Sequence, residues 1–398
     1  MTERKIYLDY ILDHYSKTPM KKCKPLIRSL LRMGAYQILF MDVRDAAACS
    51  EAVSLAKKRG FGRLSGFVNG VLRTLVREKE NLPVPDKKDD VKYVSITYSV
   101  PEWLSKLIIE QYGKESAEKI FASFLEARPL TIRTNLSKTT PEELEKELEE
   151  AGVKVEKGNY LPYAFTISNL NYLGKIAAFR QGKFAVQDES SQLAVAIADI
   201  NEGDFVLDVC AAPGGKTFHA ADRLKGAGKV LSRDLTEYKT ELIEENKDRM
   251  HYENVEVQQW DALEEDESLL ESVDVLLADL PCSGLGIMGR KNDIKYQMTE
   301  EQLGELAALQ RQILSVVWKY VKPGGQMIFS TCTLNKGENA ENIKWIEENT
   351  PLHLVSIEEY LPQNLKNRTG SQGYLQLIPG EDTCDGFFIS KFKRPEAK

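Results

Sequence analysis

No apolar run in this sequence approaches the roughly 18 residues that a membrane-crossing helix needs, and its six cysteines include no C-x-x-C pair. There are only four histidines and no histidine-rich tract, so no zinc site is expected. The first residues, MTERKIYLDYILDHY, spread charges and tyrosines where a secretory leader would have a basic region, an apolar run and a small-residue cleavage site. No internal repeat is visible. These absences lead us to expect a cytoplasmic protein with reduced thiols, no metal and no membrane segment.

What is present is enough chain for more than one core. At 398 residues it exceeds what a single hydrophobic core usually supports, and 42% hydrophobic with 28% charged residues is ordinary globular composition. The formal charge of −7 is unevenly spread. Residues 1–80 hold 16 Lys and Arg against 8 Asp and Glu, whereas the rest of the chain holds 37 against 52. A basic end on an acidic body suits attraction of a polyanion by one module, although a solvated helical face gives the same count.

Residues 1–80 repeat apolar positions at three and four, as in CKPLIRSLLRMGAYQILFM and SGFVNGVLRTLVREK. They are read as a small all-helical bundle with Ser50 and Ser65 as N-caps and Gly60 as a stop. Residues 81–92, with two prolines and a charge cluster, read as a linker. Residues 93–200 mix helical segments with short strand-like runs such as LTIRTN and KFAVQD, which suggests a small α+β domain. From 201 to 393 strands and helices alternate, the mark of an α/β, doubly wound, Rossmann-like domain with helices on both faces.

Three constellations in that last region carry chemistry. In LDVCAAPGGKT, residues 207–217, a strand runs into a Gly-rich turn and a helix. It is not a Walker A loop, because Cys210 stands where the first glycine would have to be, and it lacks G-x-G-x-x-G spacing. What remains is an acid at the strand end, Asp208, followed by Asp234 at the end of the next strand and Asp261 after the third. Asp234 is placed for ribose hydroxyls and Asp261 for an adenine amino group. Carboxylates at three successive strand ends would repel a phosphate, so they point to a nucleoside without one, and S-adenosylmethionine is such a ligand.

The other two constellations are ADLPCSGLG, residues 278–286, and FSTCTLN, residues 329–335, each with a cysteine just past a strand end. Singly, either cysteine is as readily a packing residue. Paired at strand ends, they fit one reaction. Carbon 5 of cytosine is too electron-poor to be methylated until a soft nucleophile adds to carbon 6, and a thiolate is the best such nucleophile among side chains. Asp279 is placed to act as an acid at N3 of the base, and a second thiol could assist loss of the carbon 5 proton and release of product.

With DVCAAPGGKT, DLPCSGLG and STCTLN, the chain resembles the RNA 5-methylcytosine methyltransferase family, and VQDESSQLA and DGFFISKF match further landmarks of it, so the likeness runs from about Thr131 to Phe392. The resemblance implies that Cys332 attacks the base and Cys282 helps to resolve the covalent adduct. It implies a cofactor site formed by Cys210, Ala211, Ala212, Pro213, Gly214, Gly215 and Lys216 with Asp234, Asp261 and Asp279. GAYQILFMD followed by FVNGVLR is similar to the NusB-like antitermination helical domain, a fusion that marks the small-subunit ribosomal RNA methyltransferase B branch. Relative to that pattern Met1 falls inside the helical domain, which is expected to lack its first helices. The implied function is S-adenosylmethionine-dependent methylation of a cytosine in 16S ribosomal RNA by a monomer. Methylation of transfer RNA or another ribosomal site is the alternative within the same chemistry. A non-catalytic antitermination-type RNA-binding protein is the alternative outside it.

Overall fold

The computed structural model describes residues 1–396, which form two compact units. In chain order the helical part contains α1 (Lys5–Tyr15), α2 (Pro25–Phe40), α3 (Asp45–Lys58), α4 (Ser65–Glu78), α5 (Asp90–Tyr98), α6 (Glu102–Tyr112) and α7 (Lys114–Ser123). The first unit is Met1–Leu125 together with Lys291–Gln297, and the second begins at Glu126.

In the first unit the apolar stripes of α1 to α4 converge on one core that includes Leu8, Leu12, Leu31, Ala35, Val68 and Leu72. Gly60 stops α3 as expected, with φ 82°. The expected N-caps are corrected. Ser50 lies inside α3 with its hydroxyl donating to the Ala47 carbonyl, because alanines 46–48 carry the helix upstream of it. Ser65 is the first residue of α4 and donates to the Gly62 carbonyl, since a 3₁₀ turn over Gly62–Leu64 feeds straight into that helix.

α5 was not foreseen, because VKYVSITY is rich in β-branched and aromatic residues. Asp89 accepts the Lys92 N–H and starts the helix against that composition. The division between units falls after Leu125, downstream of the 81–92 stretch, because α5 to α7 are joined to α1. The Ser99 hydroxyl beyond α5 accepts the N–H groups of Ile6 and Tyr7, two of the donors left open at the start of α1.

The second unit opens with an antiparallel sheet in the order β2-β3-β1-β4, made of β1 (Leu130–Thr134), β2 (Lys154–Lys157), β3 (Ala164–Ser168) and β4 (Phe184–Val186). It carries α8 (Pro141–Glu150), which has a Thr140–Glu143 capping box, and the short α9 (Ala177–Arg180). α10 (Glu189–Ile197) leads into the large sheet.

That sheet runs β10-β12-β9-β8-β5-β6-β7 with β11 beside β12. Its strands are β5 (Phe205–Asp208), β6 (Lys229–Asp234), β7 (Val255–Gln259), β8 (Val273–Asp279), β9 (Val321–Thr331), β10 (His353–Leu354), β11 (Tyr374–Leu377) and β12 (Phe387–Lys393). β5 to β9 are parallel, and β10 to β12 pair antiparallel at one edge. α11 (Gly215–Arg223), α12 (Glu237–Met250), α14 (Glu300–Val317) and α15 (Ala340–Asn349) are its longer helices; α13 (Ile294–Gln297) belongs to the first unit.

Successive residues of the central strands feed two cores. Val206, Val275, Leu277 and Ile328 pack on one side, while Leu207, Leu276, Ala278 and Phe329 pack on the other. This is why these strands read as unbroken apolar runs. The chain leaves β5 outward through β6 and β7, then returns to the other flank of β5 as β8. The strand order therefore reverses between β5 and β8, at whose carboxyl ends stand Asp208 and Asp279.

Candidate active site

A cavity of about 180 Å³ opens at that reversal. Asp208, Lys216 and Asp279 line it together with Cys210, Ala211, Ala212, Pro213 and Gly215. A larger cavity of about 870 Å³ lies at the amino ends of β5 to β7, lined by Glu202, Lys225 and Asn254 among others. It holds no cysteine and no strand-end acid. Position, not size, marks the site, because open parallel sheets bind ligands beyond the carboxyl ends of their strands.

The turn after β5 is built for tightness. Gly214 has φ 99° and caps α11, and a Cβ there would meet the Phe218 ring at 2.3 Å. A Cβ on Gly215 would make only ordinary contact with Gln187 at 3.7 Å, so that glycine is not sterically required by the protein itself. Asp208 is wholly buried. One of its oxygens accepts the Thr217 hydroxyl at 2.8 Å, and the other has no partner. Burial pushes its carboxyl up to about 7. The Cys210 thiol is also pushed well up, by burial first and then by the charges of Asp234, Asp208 and Asp279.

Asp234 and Asp261 are not in the cavity lining. Asp234 accepts the Ala212 N–H at 2.9 Å on one oxygen, and the Leu235 N–H and Lys239 ammonium on the other, so it braces the Gly-rich turn from behind. Asp261 accepts the Leu263 N–H at 3.0 Å in its own turn. Arg233, beside Asp234, reaches Gln258 and Asp266 and stacks 4.5 Å from the Trp260 ring centroid, tying β6 to β7.

At the end of β8 the Asp279 carboxylate is held from two sides. The Lys216 ammonium lies 2.6 Å from one oxygen, and the Ser330 hydroxyl of β9 donates to the other at 2.7 Å. Lys216 is 9% exposed, and its ammonium lies 5.1 Å from the Phe387 ring centroid. Three residues beyond Asp279, Cys282 meets Cys332 with its sulfur 3.3 Å from the other. Both are free thiols. Cys282 holds its proton tightly, first through the hydrogen bond to Cys332, then through burial and the charges of Cys332 and Glu338.

Several residues at the site were not singled out from sequence. Gln187, Asp188 and Ser191, at the junction of β4 and α10, line the cavity. The Gln187 side-chain oxygen accepts Arg133 Nε at 3.0 Å, and Arg133 is itself fixed by buried Asp222 at 3.1 Å. Asp188 and Asp385 share the Arg290 guanidinium. Burial and neighbouring Asp188 push the Asp385 carboxyl up to about 6 against the pull of Arg290. The signal for this group was the VQDESS run, in which polar residues cluster where a strand hands over to a helix.

A mostly parallel sheet whose reversal point carries carboxylates in place of a phosphate loop is the Rossmann-like methyltransferase fold. The profile of the 16S rRNA methyltransferase RsmB/F family matches residues 195–393, that of the NusB family matches 1–77, and that of the RsmF/B-like ferredoxin-like domain matches 100–171. A Bacillus subtilis protein named "Probable ribosomal RNA small subunit methyltransferase B" is 37% identical over 98% of this chain and 88% of its own length. The Vibrio cholerae ribosomal RNA small subunit methyltransferase B is 30% identical over 94% of this chain and 82% of its own. The solved structure of PH0851 superposes with a TM-score of 0.83 at 26% identity, covering 99% of this chain and 88% of that one. The chain belongs to the 16S rRNA methyltransferase RsmB/F family.

Proposed function

We propose that this chain methylates carbon 5 of a cytosine in small-subunit ribosomal RNA, using S-adenosylmethionine, with Cys332 as nucleophile and Cys282 as the thiol that assists release. The observation that carries this reading is the 3.3 Å approach of the two cysteine sulfurs at the ends of neighbouring strands, beside the Lys216–Asp279 pair. Structural cysteines have no need of such an arrangement. The residues fit the cofactor, because the unpartnered oxygen of buried Asp208 suits its cationic amino group and the carboxylates disfavour a phosphate. Asp234 and Asp261 are assigned to its ribose and adenine, with residues 210–216 around its amino-acid end. When bound, it supplies the methyl group as an electrophile at sulfur.

The chain's own residues then carry the rest. The Cys332 sulfur forms a bond to carbon 6, opening the 5,6 double bond and placing electron density on carbon 5. As negative charge builds on the N3 side of the ring, Asp279 in its protonated form donates its proton to N3, and the Lys216 ammonium beside it offsets the carboxylate charge left behind. After carbon 5 is methylated, loss of its proton and departure of Cys332 restore the double bond, and Cys282 assists that step. A thiolate mechanism requires reduced cysteines, and Cys282 and Cys332 are both free thiols. The helical first unit serves RNA binding. A groove between α3 and α4, lined by small residues with Lys57 and Arg73, suits phosphate contacts.

The test is to incubate the purified chain with S-adenosylmethionine and small-subunit ribosomal RNA, then map bisulfite-resistant cytosines. A single new protected cytosine is expected. Methyl groups found on a base nitrogen or a ribose would overturn the reading.

A further inference from the structure

The two cysteines sit on separate loops, residues 281–284 after β8 and 332–336 after β9; the β8–β9 ladder brings the loops together as far as Asp279 and Ser330, and the Gly286 N–H to the Cys332 carbonyl at 3.0 Å is a backbone tie beyond it. Side-chain bonds join the loops again at the residues next to the two sulfurs, which lie 3.3 Å apart. Glu338, just before α15, is 0% exposed. A carboxylate so placed is costly unless every lone pair is used. One Glu338 oxygen accepts the Ser283 N–H at 2.9 Å and Gln310 Nε2 at 3.1 Å. The other accepts the Ser283 hydroxyl at 2.6 Å and Asn335 Nδ2 at 3.0 Å. Ser283 directly follows Cys282, and Asn335 lies on the Cys332 loop. The hydroxyls of Ser283 and Thr333, each the residue after a cysteine, meet at 2.6 Å. Gln310 is held in turn by Asn342 and also donates to the Pro281 carbonyl.

We propose that Glu338 is the positioning residue of the two-cysteine site: its buried carboxylate joins the two loops through Ser283 and Asn335, and so sets the spacing and the division of labour between Cys282 and Cys332. The proposal rests on the reading of the cysteines given above. The residue type follows from the donor count, since an ionised carboxylate takes four donors without offering one, whereas an amide would turn an NH₂ group towards two of them. The charge matters as well as the shape. It stands beside Cys282, where a second anion is disfavoured, so it helps to keep that thiol protonated.

Glu338→Gln in the full chain separates this from a merely structural role. The first readout needs no RNA: the alkylation rates of Cys282 and Cys332 by iodoacetamide, resolved by mass spectrometry between pH 6 and pH 10. Cys332 and Glu338 are the titratable groups whose charge acts on Cys282. In the unmodified protein Cys332 should react first. In Glu338→Gln the Cys282 thiolate fraction near neutral pH should rise by about tenfold for each unit its pKa falls, its alkylation rate should rise with it though less steeply, and the preference for Cys332 should shrink. Glu338→Asp, which keeps the charge, should restore the preference at least in part. The second readout is turnover, with kcat lowered and the affinity for S-adenosylhomocysteine unchanged. If Glu338→Gln does not fold, Ser283→Ala, which removes one donor from the same oxygen, should show a smaller change of the same sign. A folded variant that keeps both the alkylation order and kcat overturns the proposal. Failure of the unmodified chain to methylate RNA would instead overturn the reading it rests on, leaving the alkylation result to stand or fall alone.

Discussion

The Lys216 ammonium and the Asp279 carboxylate, 63 residues apart in sequence, are joined at 2.6 Å across the carboxyl ends of β5 and β8, with Lys216 almost wholly buried and Asp279 partly open to the cavity. Neither charge is required to hold the sheet together, which the two apolar cores already do. The pair is therefore expected to matter to chemistry more than to folding. Lys216→Ala should lower kcat by roughly 10²–10⁴-fold, the usual range for losing a general acid or its charge partner. Thermal stability should fall only modestly. Steady-state methyl incorporation alongside thermal unfolding checks both, and near-normal kcat would remove the pair from the mechanism.

The proposed place of Asp208 in the cofactor site predicts that cofactor binding depends on pH. Its carboxyl is raised by burial from 3.8 to about 7, so in the free protein it is largely protonated below that point. A cationic amino group needs the carboxylate, so calorimetric affinity for S-adenosylhomocysteine should rise between about pH 6 and pH 8 and level off above. Because the folded value lies above the unfolded one, the group's stabilising contribution is complete below about pH 4 and is lost as pH rises through about 7. Asp208→Asn should therefore stabilise the unliganded protein at pH 8 while weakening and flattening cofactor binding. An unchanged pH profile in that variant would count against the assignment.

The two cysteines should fail in different ways. Cys332→Ala removes the proposed attacking sulfur, so methyl transfer should vanish with cofactor binding intact and no covalent RNA complex formed. Cys282→Ala leaves attack possible and should trap RNA in a complex that survives denaturing electrophoresis. Packing cysteines would instead cost ~1 kcal/mol of stability and leave turnover nearly normal. The complex appearing with Cys332→Ala would exchange the roles.

Replacing both Lys57 and Arg73 in the α3–α4 groove by Gln should weaken RNA binding without altering cofactor affinity. If each contacts one phosphate, the slope of log affinity against log salt should become shallower by about 1.4–1.8. An unchanged slope would show that RNA does not use this groove.

The strand-end residues Asp208, Asp279, Cys282 and Cys332 were legible because each follows directly on an apolar run, and local order alone puts such residues at one end of a parallel sheet. Gln187, Asp188 and Ser191 were less so. They reach the cavity through tertiary packing of a segment some 20 residues before the Gly-rich turn, and no local pattern encodes that. Glu338 escaped notice for a related reason: a glutamate ahead of a helix normally reads as a solvated cap, and only the fold shows its four donors. α5 shows the reverse failure, where a single aspartate cap outweighs a strand-like composition. The assignment of Asp234 to ribose rested on its place at a strand end, and the structure shows what that place also does, which is to hold the Ala212 amide of the turn.

In the proposed mechanism the contact between the two sulfurs would also act as a timer. The hydrogen bond to Cys332 and the charge of Cys332 are two of the influences that keep the Cys282 proton in place, together with burial and Glu338. Once Cys332 is bonded to carbon it is a neutral thioether, a poor acceptor with no charge to repel another. Two of those holds lapse together, and burial and Glu338 alone remain. On that reading Cys282 would give up its own proton more readily, and so be able to act as a base in the elimination, only after the attack has taken place. The order of the proposed cycle would then follow from electrostatics between two neighbouring sulfur atoms.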